Sequence, residues 1–327
     1  MSTKSFNVTF LAACIFLATT SPASAVGYKF TDLGTIGASY RESWAIGINN
    51  SGQVAGDSIT SDGTFRATIW NGTTPTDLGT LGGRASEAFG INNAGQVVGN
   101  SYTLGNTGVH ATIWNGTTPT DLGTLGGSYS EARGINNSGQ VVGYSYTSGN
   151  ATSYAIIWNG TTPTALGTLG GSNSAALDIN DSGAVVGYSD TSGGTYHATI
   201  WDGATPTDLG TLGGGYSSAS GINNSGAVVG SSITSGSTYH ATIWNGTTPT
   251  DLNNFLDASD VSAGWYLVEA RDINDNGWIV GIASNTITGV THAFLLTPVP
   301  EPETYAMFMA GLGLMGFIAR RRKNGQA

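Results

Sequence analysis

Residues 121–158 read DLGTLGGSYSEARGINNSGQVVGYSYTSGNATSYAIIW, and nearly everything between the two ends of the chain is a variant of this stretch. Trp70, Trp114, Trp158, Trp201 and Trp244 are spaced by 44, 44, 43 and 43 residues. Ile48, Ile91, Ile135, Ile179, Ile222 and Ile273 keep that period until an insertion stretches the last interval to 51. Such a period marks one supersecondary unit stacked on copies of itself, because a single copy cannot bury its apolar face alone.

Each copy holds four short segments rich in β-branched and aromatic residues. The first is Thr-Asp-Leu-Gly, beginning at Thr31, Thr76, Thr120, Thr207 and, with Asn253 in place of Gly, Thr250, with Thr164-Ala165-Leu166 as the variant. The second ends in Ile-Asn, as at Ile135-Asn136. The third is Gln140-Val141-Val142-Gly143-Tyr144-Ser145 and its kin, and the fourth is His110-Ala111-Thr112-Ile113-Trp114 and its kin. This content favours strands, and the separating Asn-Ser-Gly and Asn-Gly-Thr clusters favour turns. Asn115-Gly116 stands between two apolar runs, which predicts a tight hairpin pairing the fourth segment with the next first segment. Four antiparallel strands per 43 or 44 residues fit an all-β repeat array of β-propeller blades. A parallel β-helix of two coils per period is the competing reading, and the hairpins argue against it. Each segment type occurs six times, so six blades are expected. The array opens with a first-type segment at 28–34 and ends with a fourth-type segment, His292 to Leu296, that lacks its follower. The expectation is that 28–34 completes the last blade beside 291–296 and closes the ring.

Gly at 50 of 327 residues and charged residues at 10% depart from an ordinary soluble protein, where charged residues run near ~25%. With 39% hydrophobic residues recurring on schedule, this is not a disordered chain. Residues 26–298 carry 6 Lys and Arg against 19 Asp and Glu, a net charge of −13 that repels phosphates and excludes nucleic acid as a partner. The only cysteine is Cys14, so the repeats depend on packing rather than disulfides.

The ends carry an address. Residues 1–25 place Lys4 before an apolar run and finish Ala23-Ser24-Ala25, which reads as a signal peptide cut by signal peptidase after Ala25, with Ala23 and Ala25 at the small positions. A short membrane anchor is the alternative, and the run is well under the roughly 20 residues a span requires. A third reading takes residues 11–14 as a lipobox ending at Cys14, but the apolar run continues past it. At the other end, Val299, Pro300, Glu301 and Pro302 precede an apolar stretch at 305–319, a short transmembrane-type helix by composition, and then Arg320, Arg321, Arg322 and Lys323. The basic cluster would stay cytoplasmic. The domain plan is therefore a signal peptide at 1–25, a repeat propeller at 26–298 and a sorting or anchor segment at 299–327.

This tail resembles the PEP-CTERM sorting signal of Gram-negative bacteria in all its parts. The resemblance implies an exosortase as processing partner, cleavage near Pro300 to Pro302, transient anchoring in the inner membrane, and delivery to the cell surface or extracellular matrix. The repeats resemble the HAF repeat family through Asp121-Leu122-Gly123, 134–137, 141–143 and His292-Ala293-Phe294. Most copies read His-Ala-Thr or Tyr-Ala-Ile at the last motif, and that resemblance brings no activity with it.

Candidate chemistry is sparse. His110, His197, His240 and His292 share one repeat position with Arg66 and Tyr154, so a metal ring is possible only if that strand lines a channel, and Arg66 opposes a cation. Asp32, Asp77, Asp121, Asp208 and Asp251 share another, with Ala165 the exception; turn aspartates bonding nearby backbone is the simpler reading than a calcium ring. Residues 272–277 match the start of an EF-hand loop, but the twelfth position is Ala283, and a hairpin turn accounts for them. Glu87, Glu131 and Glu269 share a position where paired carboxylates could hydrolyse glycosides. There is no Gly-x-Ser-x-Gly, phosphate loop or cysteine nucleophile in the repeats, so no catalytic, cofactor or metal residue is assigned and an enzyme is not expected. The sequence thus reads as an exported surface or matrix protein with a propeller serving a binding or structural role, with polysaccharide as the candidate ligand. The alternative is a propeller enzyme acting on extracellular glycans. Arg41, Glu42, Trp44, Arg84 and Arg133, unlike residues at equivalent places, are the positions where a concave asymmetric site would distinguish the two.

Overall fold

The computed structural model describes residues 31–37 and 42–298. The chain from Leu33 onward forms one unit, and Thr31 and Asp32 fall in a separate N-terminal one. Twenty-three strands follow in the order of the repeats. Blade 1 is β1 (Ser43–Ile48), β2 (Gln53–Ile59), β3 (Phe65–Asn71) and β4 (Thr74–Asp77). Blade 2 is β5 (Gly82–Ile91), β6 (Val97–Thr103), β7 (Val109–Asn115) and β8 (Thr118–Asp121). Blade 3 is β9 (Gly126–Ile135), β10 (Val141–Thr147), β11 (Ser153–Asn159) and β12 (Thr162–Ala165). Blade 4 is β13 (Gly170–Ile179), β14 (Val185–Thr191), β15 (Tyr196–Asp202) and β16 (Thr205–Asp208). Blade 5 is β17 (Gly213–Ile222), β18 (Val228–Thr234), β19 (Tyr239–Asn245) and β20 (Thr248–Asp251). Among the described residues blade 6 has three strands, β21 (Trp265–Ile273), β22 (Ile279–Asn285) and β23 (Thr291–Leu296).

Within each blade neighbouring strands pair antiparallel in sequence order. A single parallel contact, Val109 with Tyr129, joins the sheets of blades 2 and 3. This is an all-β, six-bladed propeller, and the predicted hairpins are present: Trp114 pairs with Pro119 across Asn115-Gly116. The second-type segment is innermost and the first-type segment outermost, an order that periodicity alone does not reveal. The loops after each second strand share one end of the propeller with the linkers from outermost to next innermost strand. We call this the loop face. The Asn-Ser-Gly and Asn-Gly turns occupy the opposite end.

A bulge in each innermost strand explains the glycine of the Val-Val-Gly motif. The β9–β10 register slips between Val142 and Gly143, and the Glu131 carbonyl lies 1.8 Å from where a Cβ on Gly143 would sit. Only glycine lets the two backbones approach so closely.

The core lies between blades. Val98, Ala111 and Leu122 of blade 2 pack on Ala132, Val141, Ile156 and Trp158 of blade 3, and the next seam repeats the set with Val142, Ala155 and Leu166 against Ala176, Ile179, Val185 and Trp201. Each Trp is thus capped by the Leu of the preceding outermost strand, which is why the two recur together. A polar ladder accompanies the apolar one. Asn49 Nδ2 donates to Asn92 O (3.1 Å), Asn92 to Asn136 O (3.2 Å), Asn136 to Asn180 O, Asn180 to Asn223 O and Asn223 to Asn274 O (each 3.1 Å). Five seams are stitched in this way.

The sixth seam differs. Val280 is 44% exposed whereas its counterparts Val98, Val142, Val186 and Val229 are at 0%, and Ile48 is 69% exposed. Trp44, Ile46 and Trp278 are exposed beside them. Blade 1 is entered, however, like blades 2, 3 and 5: Ser43 Oγ donates to Gly34 O (3.0 Å) and Ile36 N to Ser58 Oγ (3.1 Å), while Trp70 Nε1 also donates to Gly34 O (3.3 Å). These match the bonds of Ser130 to Gly123 O and of Leu125 N to Ser145 Oγ one blade on. The expected pairing of 28–34 with β23 involves residues 28–30, outside the described residues. The insertion after β20 forms a 3-10 turn (Leu252–Phe255) and the short helix α1 (Ala258–Ser262), and the Asn253 side chain pins it to both backbone groups of Leu267.

Candidate functional site

The most distinctive side chains gather on the loop face of blade 3. Tyr144 and Tyr146 lie two apart on β10 and therefore point the same way, and Tyr129 and Glu131 do so on the adjoining β9, where Glu131 is registered opposite Tyr144. The Tyr129 and Tyr144 rings stack with centroids 5.9 Å apart, and Tyr146 meets them edge-on at 5.9 and 6.5 Å. With Ser128 and Asn150 they line a hollow of about 410 Å³. Beneath it the buried Glu131 carboxylate accepts from the Tyr129 hydroxyl and from Asn100 Nδ2 (3.2 Å) and pairs with Arg133. Arg133 in turn stacks over the Phe89 ring at 4.5 Å. Burial, and then the adjacent Glu131 carboxylate, push the Tyr129 phenol upward, so it remains a donor at all ordinary pH. The Tyr129 ring is thus anchored by a buried polar network, and Tyr144 and Tyr146 pack against it.

Two further features adjoin this hollow. Ser128 and Asn150 also border a polar hollow of about 460 Å³ between blades 2 and 3, with Thr103, Thr107 and His110 among its walls. On the other side, Tyr188 and Tyr196 of blade 4 lie 5.5 Å apart, Tyr196 lies 4.8 Å from Tyr216 of blade 5, and the Tyr196 and Tyr239 hydroxyls are 3.2 Å apart.

The centre of the propeller is a cavity of about 720 Å³ walled by the innermost strands. Ile46, Phe89, Arg133, Leu177, Ser220 and Arg271 occupy one equivalent position around it, and Asp178 and Asp272 stand at the next, where the other copies have Gly. Asp178 bridges blades by accepting from Ile179 N (2.8 Å) and Ile222 N (2.9 Å). Burial, with repulsion from Asp272, raises its pKa to about 7 despite those donors. Asp57, buried against blade 2, is also raised to about 7 by burial, opposed by the Ala88 N–H and reinforced by Glu87.

The repeated histidines and aspartates do not line this cavity. Aspartates on outermost strands meet a His or Arg on the neighbouring strand: His110 Nδ1 lies 2.8 Å from Asp121 Oδ2, His197 2.8 Å from Asp208, His240 2.6 Å from Asp251, and Arg66 Nε 3.5 Å from Asp77. The other carboxylate oxygen accepts from backbone, as Asp121 Oδ1 does from Gly123 N (2.7 Å). These pairs are the braces of the blade rim. Where Tyr154 replaces the His or Arg, Ala165 replaces the aspartate, and Gly167 turns its N–H to Ala204 O and its carbonyl to Trp201 Nε1. Asp272 begins a hairpin turn, with Asn274 Oδ1 accepting from Asn276 N and Trp278 N (both 3.0 Å). Among the described residues no group of three or more His, Cys, Asp or Glu is arranged to hold a metal ion. Of the shared-position glutamates, Glu87 and Glu131 are brought to one amide, Asn100 Nδ2, at 3.4 and 3.2 Å, while Glu269 pairs with Arg271 in blade 6.

Of the unlike residues whose convergence would separate the two readings, Glu42 O accepts from Ile59 N, Trp44 stacks on Phe65, Arg84 lies over Tyr102 and Arg133 faces the centre; Arg41 lies outside the described residues. Ala23, Ala25, Val299, Pro300, Glu301, Pro302, Arg320, Arg321, Arg322 and the apolar run at 305–319 also lie outside them. Among the described residues no helix is long and apolar enough to cross a membrane. These tyrosines are not singled out by the repeat pattern: Tyr129 shares its position with Ala85, Asn173 and Tyr216, and Tyr144 with Asn100, Tyr188 and Ser231, and blade 3 is the copy in which both are Tyr.

Comparison with solved structures returns matches at low identity. TolB from Acinetobacter baumannii shares 13% identity with a TM-score of 0.46, over 75% of this chain and 64% of its own length. The chain therefore spans less than two thirds of TolB. The β-propeller domain of the trilobed protease from Pyrococcus furiosus shares 11% over 77% of this chain and 95% of that one, with a TM-score of 0.40. A mutant of AofleA from Arthrobotrys oligospora shares 13% over 80% and 84%, with a TM-score of 0.39. Among curated proteins none matches. The tail is explicit where the propeller is not: residues 298–323 match the PEP-CTERM protein-sorting motif, so this is a propeller carrying the address of an exosortase-sorted, exported protein.

Proposed function

We propose that this protein, once exported and processed, binds a neutral polysaccharide of the cell surface or extracellular matrix through the tyrosine hollow of blade 3. The observation that carries the reading is the set of three tyrosine rings braced by a buried Glu131–Arg133–Asn100 network at the loop face. Flat rings cover the apolar faces of sugars, while Ser128, Asn150 and the phenols supply hydrogen bonds, and no cation lines the hollow. The loose likeness of the repeats to HAF repeats is compatible with this reading. So are removal of the first 25 residues after Ala25 and cleavage near Pro300 to Pro302, which mass spectrometry of the mature termini checks.

The direct test is affinity electrophoresis of the mature protein through gels holding neutral glucans, mannans or galactans. Retardation by at least one polymer, abolished by Tyr144→Ala, is expected. Equal mobility of both proteins in every gel would sink the proposal. One observation favours a second reading, hydrolysis of extracellular glycans: Asn100 holds Glu87 and Glu131 close together. Release of reducing ends that stops with Glu87→Gln would establish it. Glu131 is already engaged by Tyr129, Asn100 and Arg133, which favours binding over catalysis.

A further inference from the structure

We infer that the binding surface is a track rather than a single pocket, and that its ligand is a linear, uncharged glycan laid across the loop face from blade 2 to blade 5. The inference rests on the reading above and extends it to the ligand's length and charge. Three observations line up in chain order. The polar hollow at the blade 2–3 boundary and the tyrosine hollow of blade 3 share Ser128 and Asn150 as their common wall. Beyond them Tyr188, Tyr196 and Tyr216 form a chain of rings spaced 5.5 and 4.8 Å, which carries the aromatic surface from blade 4 onto blade 5. Tyr239, 43% exposed, and Tyr216, 37% exposed, present rings to solvent at its far end.

Each hollow, at about 460 and 410 Å³, lies toward the small end of the ~300–1,000 Å³ usual for small-molecule sites, so neither holds more than a short piece of polymer. A ligand that used both hollows and the rings beyond must be several sugars long. Its charge follows from the lining. No Lys or Arg borders either hollow, His110 is engaged by Asp121, and the chain carries a net charge of −10, so polyanionic glycans are repelled while neutral ones stack and hydrogen-bond. Phenols raised by burial, Tyr144 and Tyr188 among them, stay neutral and add no counter-charge.

The test is calorimetry on the mature protein with cello-, laminari-, manno- and malto-oligosaccharides from disaccharide to octasaccharide, and with alginate as the polyanion. The expected result is an affinity that climbs with length for one series, with no binding of alginate. Tyr196→Ala combined with Tyr216→Ala should weaken the octasaccharide about tenfold and leave the shortest binder unchanged, since two lost aromatic contacts of this kind together are about that size. Tyr196→Phe with Tyr216→Phe should keep the affinity, because the rings remain. Tyr144→Ala should remove short and long ligands alike. An affinity independent of length, or an unchanged octasaccharide affinity in the double alanine variant, overturns the track while leaving the single-hollow reading standing. Tight binding of alginate overturns the charge assignment, and absence of binding throughout the panel overturns both readings together.

Discussion

Asp178 shows what one exception in a repeat can do. Four of its counterparts are Gly, and the fifth is Asp272, whose carboxyl is likewise raised by burial. A carboxyl held at about 7 in the folded state and 3.8 in the unfolded chain binds more protons folded than unfolded between those values. Its contribution to stability is therefore fully present below about pH 4 and is lost as pH rises through about 7. Asp57 adds the same sign. Thermal melts should show a higher midpoint at about pH 5 than at about pH 8, and Asp178→Asn should remove part of that difference, by of the order of 1–4 kcal/mol, while sparing the Ile222 N–H an empty partner. A midpoint that rises with pH would contradict the assignment. At this scale the sequence was only partly legible. The His–Asp and Arg–Asp braces were visible as two separate columns of residues, but their pairing was written only in one copy, where Tyr154 and Ala165 depart together. The tyrosine hollow needed the β9–β10 register before Tyr129 and Tyr144 could be placed side by side.

Among the elements, the innermost strand sets the geometry of its neighbours. Its bulge puts the Glu131 carbonyl against Gly143, and any side chain there must push β9 away. Gly143→Ala should cost about 3 kcal/mol or more and weaken glycan binding, because β9 also carries Tyr129 and Glu131. Gly123→Ala is the informative contrast. Gly123 has φ 75° with nothing within 4 Å of a Cβ, so only the backbone preference is lost, about 1 kcal/mol. Equal losses in the two variants, measured by denaturant unfolding, would remove the bulge argument. Strand existence and hairpin turns were legible from alternation and Asn-Gly pairs. Which strand is innermost was not, since a period fixes the interval between copies and says nothing about radial order.

For the whole molecule, stability is a sum over seams, as in other repeat arrays. Blades 3 and 4 have a completed seam on both sides, whereas β1 and β22–β23 present Ile48, Val280 and Leu295 to solvent among the described residues. Hydrogen exchange followed by mass spectrometry should therefore be slowest in β10 and β14 and fastest in β1, β22 and β23, and uniform protection around the ring would refute it. The count of six blades was legible because each segment type recurs six times. The uncovered seam was not, since it depends on how the first and last blades meet in space. The asparagine ladder gives this arrangement a further meaning. Every rung has a side-chain amide on one blade and a carbonyl on the next, so every interior blade offers the same donor forward and the same acceptor backward. As far as this ladder goes the blades are interchangeable parts: if a whole copy were inserted or removed, the two blades brought together would form the same amide-to-carbonyl rung, whereas copy-specific bonds such as Asp178 to Ile222 N would not re-form.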